Sequence, residues 1–389
     1  MGKVQLAEIR ATSPTLVEVM RSCLLRAGLS RASGASAFAL GSPRAWLGTA
    51  YHEVLEKIPE VDPSAQSLDH ALDRLWADAI ARQHERANDH PLDRRFGLPA
   101  TWPGYYLAEA SVRLRAQELV TQLAHASPLL PGPTRRLEDA PRAVREQQLV
   151  ACGGKLVGRP DLIRDGEVVD YKSGEILEYD EEAQTDAVKE AYVRQLRIYR
   201  YLVKEEFGWW PRRGVLLPLA GPAVEVGLDP VDCEREAAEA VALLDKYNQK
   251  LEAGAGAKEL ASPSPAACKW CQYKLICPAF WPNAATTWSG QLDGGAVEGT
   301  LFATPRPTHG GEAFAISLDV EAGSEVRCRT EIAPLNPDVH SSITTMGAGA
   351  RLRIVGLRIQ AEGSLIPGQR TLLARVDDLP QLSVESEQT

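Results

Sequence analysis

Gly158-Arg159-Pro160-Asp161-Leu162-Ile163-Arg164-Asp165-Gly166-Glu167-Val168-Val169-Asp170-Tyr171-Lys172 is the stretch that decides the fold. Asp165-Gly166 between two apolar runs is the signature of a two-residue type I′ hairpin turn. Counting outward from that turn sets Arg164 against Glu167, Ile163 against Val168, Leu162 against Val169 and Asp161 against Asp170. Carboxylates directly opposite on one face have Cβ atoms roughly 4.5–5.5 Å apart and repel each other. The surrounding Leu162, Ile163 and valines raise the cost of leaving them unpaired. A divalent cation between Asp161 and Asp170 removes the repulsion. Hard oxygen donors suit Mg²⁺ or Mn²⁺, which keep waters and can activate one as a nucleophile. Lys172, two residues beyond Asp170, shares its face and can orient that water or stabilise negative charge in the transition state. A surface hairpin with solvated charges is the plainer alternative, and the register coincidence argues against it.

Other residues can join this site. Gln195 and Tyr199 stand at i and i+4 on a helical pattern, so both reach one face and can meet a bound backbone or Lys172. His52 lies on the helix expected from Pro43 to about Ile58, opened by Ser42-Pro43, and offers an imidazole nitrogen to a metal. Glu146, on the preceding strand, is a candidate supporting acid.

Cys268-x-x-Cys271-x₅-Cys277-Pro278 places three thiols within ten residues, and Cys23 is the best candidate for a fourth ligand. Four thiolates suit tetrahedral zinc or a [4Fe–4S] cluster, and either would tie the start of the domain to its end. Cys152, Cys233 and Cys328 are isolated and read as buried thiols.

The 389 residues suffice for two or three domains, and 44% hydrophobic with 24% charged residues is ordinary globular composition. No apolar run is long enough to span a membrane. Met1 to Arg10 has no apolar signal core, which points to a cytoplasmic protein. Residues 66–125 read mainly as helices and are rich in arginine, while short strands are expected at about 143–150, 155–163 and 168–172. An acidic stretch at 175–186 leads into the helix of Gln195. The expected division is therefore an α/β domain over 1–285, with a helical insert at about 60–140, and an all-β module over 288–389. Strand-like runs at Phe314–Val320, Glu325–Thr330, Leu352–Ile359 and Thr371–Val376 suit a small barrel like the oligonucleotide-binding (OB) fold.

Taken in order, Cys23, Gly48-Thr49-Ala50-Tyr51-His52, Gly158-Arg159-Pro160-Asp161, Asp170-Tyr171-Lys172-Ser173-Gly174, Gln195-Leu196-Arg197-Ile198-Tyr199 and the three C-terminal cysteines carry a resemblance. Over roughly residues 13–282 the chain resembles the RecB-type nuclease family of the PD-(D/E)xK superfamily. The subgroup it is most similar to carries a four-cysteine iron–sulfur staple and includes CRISPR-associated exonucleases and AddB-type subunits of helicase–nucleases. The resemblance implies a restriction-endonuclease-like core, with His52, Asp161, Asp170 and the Val169 carbonyl as metal ligands and Lys172 as the catalytic lysine. It further implies that Gln195 and Tyr199 support DNA binding and that Cys23, Cys268, Cys271 and Cys277 hold [4Fe–4S].

The expected function is thus a Mg²⁺- or Mn²⁺-dependent deoxyribonuclease acting on single-stranded DNA or DNA ends, more an exonuclease than an endonuclease. A catalytically idle iron–sulfur subunit is the first alternative, disfavoured by the intact Asp161, Asp170 and Lys172. A zinc-stapled adaptor is the second. No P-loop sequence is present, so processive resection would need a helicase partner. The net charge of −9 weighs against phosphate binding by the surface at large. From Trp288 onward eight arginines face thirteen carboxylates, so the β-module is expected to dock a protein or order the nuclease domain, with Arg351 and Arg353 as its one basic patch.

Overall fold

The computed structural model describes residues 3–58, 68–124, 143–164, 166–181, 184–308, 310–325, 328–361 and 363–384. The chain divides into two compact units: a core unit of residues 10–18 and 42–245, and a flanking unit of 1–9, 19–41 and 246–389. Among the described residues no helix is long and apolar enough to cross a membrane.

The core unit is built on a five-stranded sheet in the order β1-β2-β3-β4-β5. These are Ala143–Arg145 (β1), Leu162–Arg164 (β2), Glu167–Lys172 (β3), Arg213–Pro218 (β4) and Val224–Val226 (β5). Neighbours are antiparallel except β3 and β4, which run parallel. A parallel pair needs a long crossover. Here it comprises the hairpin Leu177–Asp180/Thr185–Val188 and the helix Glu190–Phe207. The central strands are buried along nearly their whole length, with Val168, Val169, Val215 and Leu216 inaccessible to solvent, as continuous apolar runs in interior strands require.

Three further helices, α1 (Pro43–Lys57), α2 (Leu68–Asp89) and α3 (Tyr105–Ala124), belong to this unit. Pro43 opens α1 at a position where its missing N–H costs nothing, although the Ser42 side chain makes no capping bond. The crossover helix, α4 (Glu190–Phe207), buries Leu196, Ile198, Tyr199, Leu202 and Val203 against the sheet core and ends on Gly208 in the left-handed conformation. Of the helical insert expected at about 60–140, residues 60–67 and 125–140 lie outside the described residues.

The strands expected over 143–150 and 155–163 are each broken in two. Glu146 takes a left-handed backbone (φ 48°) and ends β1, so Leu149–Ala151 pairs instead with Leu156–Gly158 in a separate hairpin. Proline at 160 lacks the N–H that a continuous strand would need before Asp161.

The flanking unit contains a closed five-stranded mixed barrel. Its strands are Gly295–Leu301 (β6), Phe314–Gly323 (β7), Arg329–Leu335 (β8), Arg351–Ile359 (β9) and Leu365–Ile366 (β10), in the ring order β6-β7-β8-β10-β9-β6. Only β8 and β10 run parallel. Closure leaves no edges among these five strands, and the interior holds Val297, Ile316, Leu318, Ile332, Leu352 and Ile354. The strand expected at Glu325–Thr330 instead begins at Arg329. In the same unit Lys3–Leu6 pairs parallel to Gln381–Val384, joining segments from opposite ends of the described chain.

Candidate active site

The observed register of β2 and β3 sets Leu162 against Val169, Ile163 against Val168 and Arg164 against Glu167. Gly166 has φ 83°, and Asp165, the other expected turn residue, lies outside the described residues. Strand pairing stops one residue before Asp161. Its Oδ2 accepts the backbone N–H of Tyr171 at 2.5 Å and its Oδ1 lies 3.2 Å from His52 Nδ1. Asp161 and Asp170 are 8% and 2% exposed, so two carboxylates share one desolvated corner.

Asp170 Oδ2 forms an ion pair with Lys172 Nζ but receives no aligned hydrogen bond, while its Oδ1 accepts from Gln195 Nε2 at 3.0 Å. Gln195 Oε1 accepts from Lys172 Nζ at 2.8 Å, and Gln195 Nε2 also reaches the Tyr199 hydroxyl at 3.1 Å. A single amide therefore holds both the carboxylate and the lysine, and Tyr199 fixes the amide. Tyr199 is buried to 7% exposure, so it acts on the site through Gln195 and offers little surface to an outside molecule. Lys172 Nζ also sits 4.6 Å from the centre of the Tyr192 ring. Tyr192, Gln195 and Tyr199 follow i, i+3, i+7 spacing, a signal from which Tyr192 could have been found.

Electrostatics follow from the burial. Desolvation lifts the Asp170 carboxyl above its ordinary range, opposed by Lys172 and reinforced by Asp161. Burial alone would lower the His52 pKa, but the hydrogen bond and charge of Asp161, with Asp170 behind it, turn the net shift upward. Glu146 is lifted by burial, then by Asp161 and by a hydrogen bond with Glu56. Arg159 grips Glu146 through both its carboxylate, at 2.7 Å, and its backbone carbonyl. Glu56 is one turn beyond His52 on α1, and that spacing was the available clue to it.

Two glycines explain how the elements come this close. A Cβ on Gly48 of α1 would stand 2.6 Å from Ser173 Oγ, and one on Gly158 would meet Leu202 Cδ1 at 2.4 Å and the Tyr199 ring. Tyr51 is wholly buried, and its hydroxyl donates to the Leu217 carbonyl of β4 at 3.4 Å. Val169 is enclosed between Leu162 and Val215 in the sheet, directly before Asp170.

The donor chemistry fits a hard divalent cation: buried carboxylate oxygens, one without an aligned hydrogen bond, beside an imidazole. The same groups are paired with one another, His52 with Asp161 and Lys172 with Asp170. Among the described residues no three His, Cys, Asp or Glu side chains surround a common ion-sized point.

Beyond Lys172, a groove of about 830 Å³ passes Ser173, Gly174 and Leu107. Among the described residues that line it, Glu175, Glu178 and Asp186 outnumber the cation Lys189. This wall does not attract phosphates.

Cys23, Cys268, Cys271 and Cys277 all belong to the flanking unit, and none forms a disulfide. Cys23 sits at the break between helices ending at Ser22 and beginning at Leu24. Cys268 lies in the short helix Pro265–Lys269, which is capped by the Ser264 hydroxyl. Burial pushes the Cys268 thiol up to about 11 and the Cys277 thiol up to about 12, and the charges of Cys271 and Cys23 add to each. Among the described residues no three of these thiols gather around a common ion-sized point. Of the three isolated cysteines, Cys233 is buried, Cys152 half-buried and Cys328 exposed; the expectation of three buried thiols is corrected at Cys152 and Cys328.

Residues 11–278 match the family model of the PD-(D/E)XK nuclease superfamily. This covers well over half of the chain, which therefore belongs to that superfamily. No curated protein matches the chain significantly.

Proposed function

We propose that this protein is a Mg²⁺- or Mn²⁺-dependent deoxyribonuclease of the RecB type, acting on single-stranded DNA or DNA ends, more as an exonuclease than an endonuclease. The pathway would be DNA repair, recombination or phage defence, with a helicase partner for processive action. The observation that carries the reading is the network in which Gln195 holds Asp170 and Lys172 together beside Asp161 and His52. His52, Asp161, Asp170 and the Val169 carbonyl would hold the cation. When bound, it supplies Lewis acidity toward the phosphate and a water acidic enough to attack near neutral pH. Lys172, fixed by Gln195 and Tyr192, places a positive charge where the phosphate gains negative charge. Tyr199 and Gln195 keep that ammonium from swinging into solvent.

The four cysteines would hold a [4Fe–4S] cluster. What supports this is the Cys268-x-x-Cys271-x₅-Cys277 spacing, with Cys23 in the same unit, a thiol set that suits such a cluster. Burial raises the Cys268, Cys271 and Cys277 thiols, so loading them must release protons.

The test is incubation of end-labelled single- and double-stranded DNA with Mg²⁺ or Mn²⁺. Wild type should cut, EDTA should stop it, and Asp170→Ala or Lys172→Ala should lower the rate at least about 100-fold, as loss of one charge-stabilising group does. Full activity in either variant refutes the site.

A further inference from the structure

Trp270 is the exposed exception among the eight tryptophans of this chain, with 60% of its surface accessible to solvent. Tryptophan is a residue that folding usually hides, and here its neighbours hold it outward. Its carbonyl accepts from Arg26 Nη2 at 3.3 Å, and the Cys271 N–H closes a turn onto the Cys268 carbonyl at 3.2 Å. Lys274 Nζ donates to the carbonyls of Cys268 and Lys269, both at 3.1 Å. The indole therefore stands on a fixed loop.

Its chemical surroundings are cationic. Lys269 Nζ lies 5.5 Å from the indole ring centre, and Arg26 and Lys274 both act electrostatically on the adjacent Cys271 thiol. Asp293, whose backbone N–H donates to the Lys269 carbonyl, is paired with Arg370 at 3.0 Å. In a chain of net charge −9 this is a local reversal of sign. The wall beside Lys172 is acidic by contrast, so the phosphates of a polymeric substrate need cations from elsewhere in the protein.

A flat exposed π-face next to cations matches the chemistry of an unpaired nucleobase flanked by phosphates. A duplex hides its base faces and cannot use an indole in this way. A protein partner would call for a broader apolar surface, and the flanking Lys269 and Gln272 are exposed and polar. We propose that Trp270 is a docking point for single-stranded nucleic acid, one base stacking on the indole while Arg26 and Lys269 face the adjoining phosphates. The inference rests on the nuclease reading and deepens it by naming a residue at which the single strand is held.

The experiment uses the full-length protein in EDTA, so that binding is read without cleavage, with fluorescein-labelled oligo(dT) and a duplex of equal length as probes. Trp270→Ala should weaken oligo(dT) binding about 5- to 150-fold, the range for loss of one stacked base. Trp270→Phe should keep most of the affinity, and duplex binding should be unchanged. Lys269→Ala with Arg26→Ala should weaken binding and reduce the salt slope by about two phosphates' worth of counterions, roughly 1.4 for a single strand. Hydrolysis of bis(p-nitrophenyl) phosphate, which carries no nucleobase to stack on an indole, should be the same in Trp270→Ala and wild type. Equal oligo(dT) affinity for a folded Trp270→Ala protein overturns the proposal, as does an equal loss of duplex binding. If no variant cleaves any phosphodiester but the Trp270 effect on binding stands, the nuclease reading fails and the docking point survives.

Discussion

Asp170 is held where burial would otherwise neutralise it. In the absence of a cation the folded protein binds its proton more tightly than the unfolded chain does. Folding stability then falls as pH rises from the ordinary carboxylate value of about 4 through the raised folded value. Asp170→Asn should therefore flatten that pH dependence and make the EDTA-treated protein more stable at neutral pH, by something on the order of 1–3 kcal/mol. Urea titrations at several pH values check this, and a variant less stable than wild type in EDTA would show that the Lys172 ion pair outweighs desolvation. At Gly158 the expectation has the other sign. The Cβ of Gly158→Ala would overlap Leu202, so the substitution should cost about 1–3 kcal/mol by overpacking and loosen Tyr199 as well. Its cleavage rate should fall even at temperatures where it remains folded.

At the level of elements, the barrel strand β9 has a different use from the one its arginines imply. Alternation sets Arg351 and Arg353 on one face, and both turn to the same partner, Glu298 of β6, which is 3% exposed. Arg353 also donates to the Leu275 carbonyl at 3.1 Å and lies 5.1 Å from the Trp281 ring. Arg353 is thus a structural contact between the barrel and the cysteine loop within the flanking unit, and Arg351 is held by Glu298. Glu298→Ala leaves two guanidinium groups without their shared anion and should destabilise the flanking unit by about 1–3 kcal/mol. It should also speed loss of visible absorbance from iron-loaded protein. Absorbance decay as slow as in wild type would separate the barrel from the cysteine loop. Cys23→Ser and Cys271→Ser should lower the melting temperature alike if both thiols hold one centre.

Across the whole molecule, the flanking unit draws on three separate chain segments, and the core unit is contained between them in sequence. The pairing of Lys3–Leu6 with Gln381–Val384 closes a loop of nearly the full chain length. Contacts between residues so far apart in sequence carry a large closure entropy. Deleting residues 1–7 should therefore lower the melting temperature of the flanking unit by about 4–10 °C. Cleavage by a folded core unit should persist in that deletion at low temperature. A deletion that leaves melting unchanged would mean the strand pair adds nothing to stability.

The hairpin, its register and the proximity of Asp161, Asp170 and Lys172 were legible in the sequence, because strand periodicity and turn chemistry are local rules. The i, i+4 placement of Gln195 and Tyr199 was legible for the same reason. What these two residues do was not: Gln195 joins Asp170 to Lys172 only because a crossover helix lies over the sheet, and Gly158 permits that approach. The break at Glu146 escaped the sequence, since no local rule calls for a left-handed glutamate; Arg159, thirteen residues later, grips it. Arg351 and Arg353 read as a free basic patch until Glu298, more than fifty residues away, took both. Local pattern determined which side chains share a face. Tertiary structure decided which charges meet, because partners distant in sequence become neighbours only after the chain has closed.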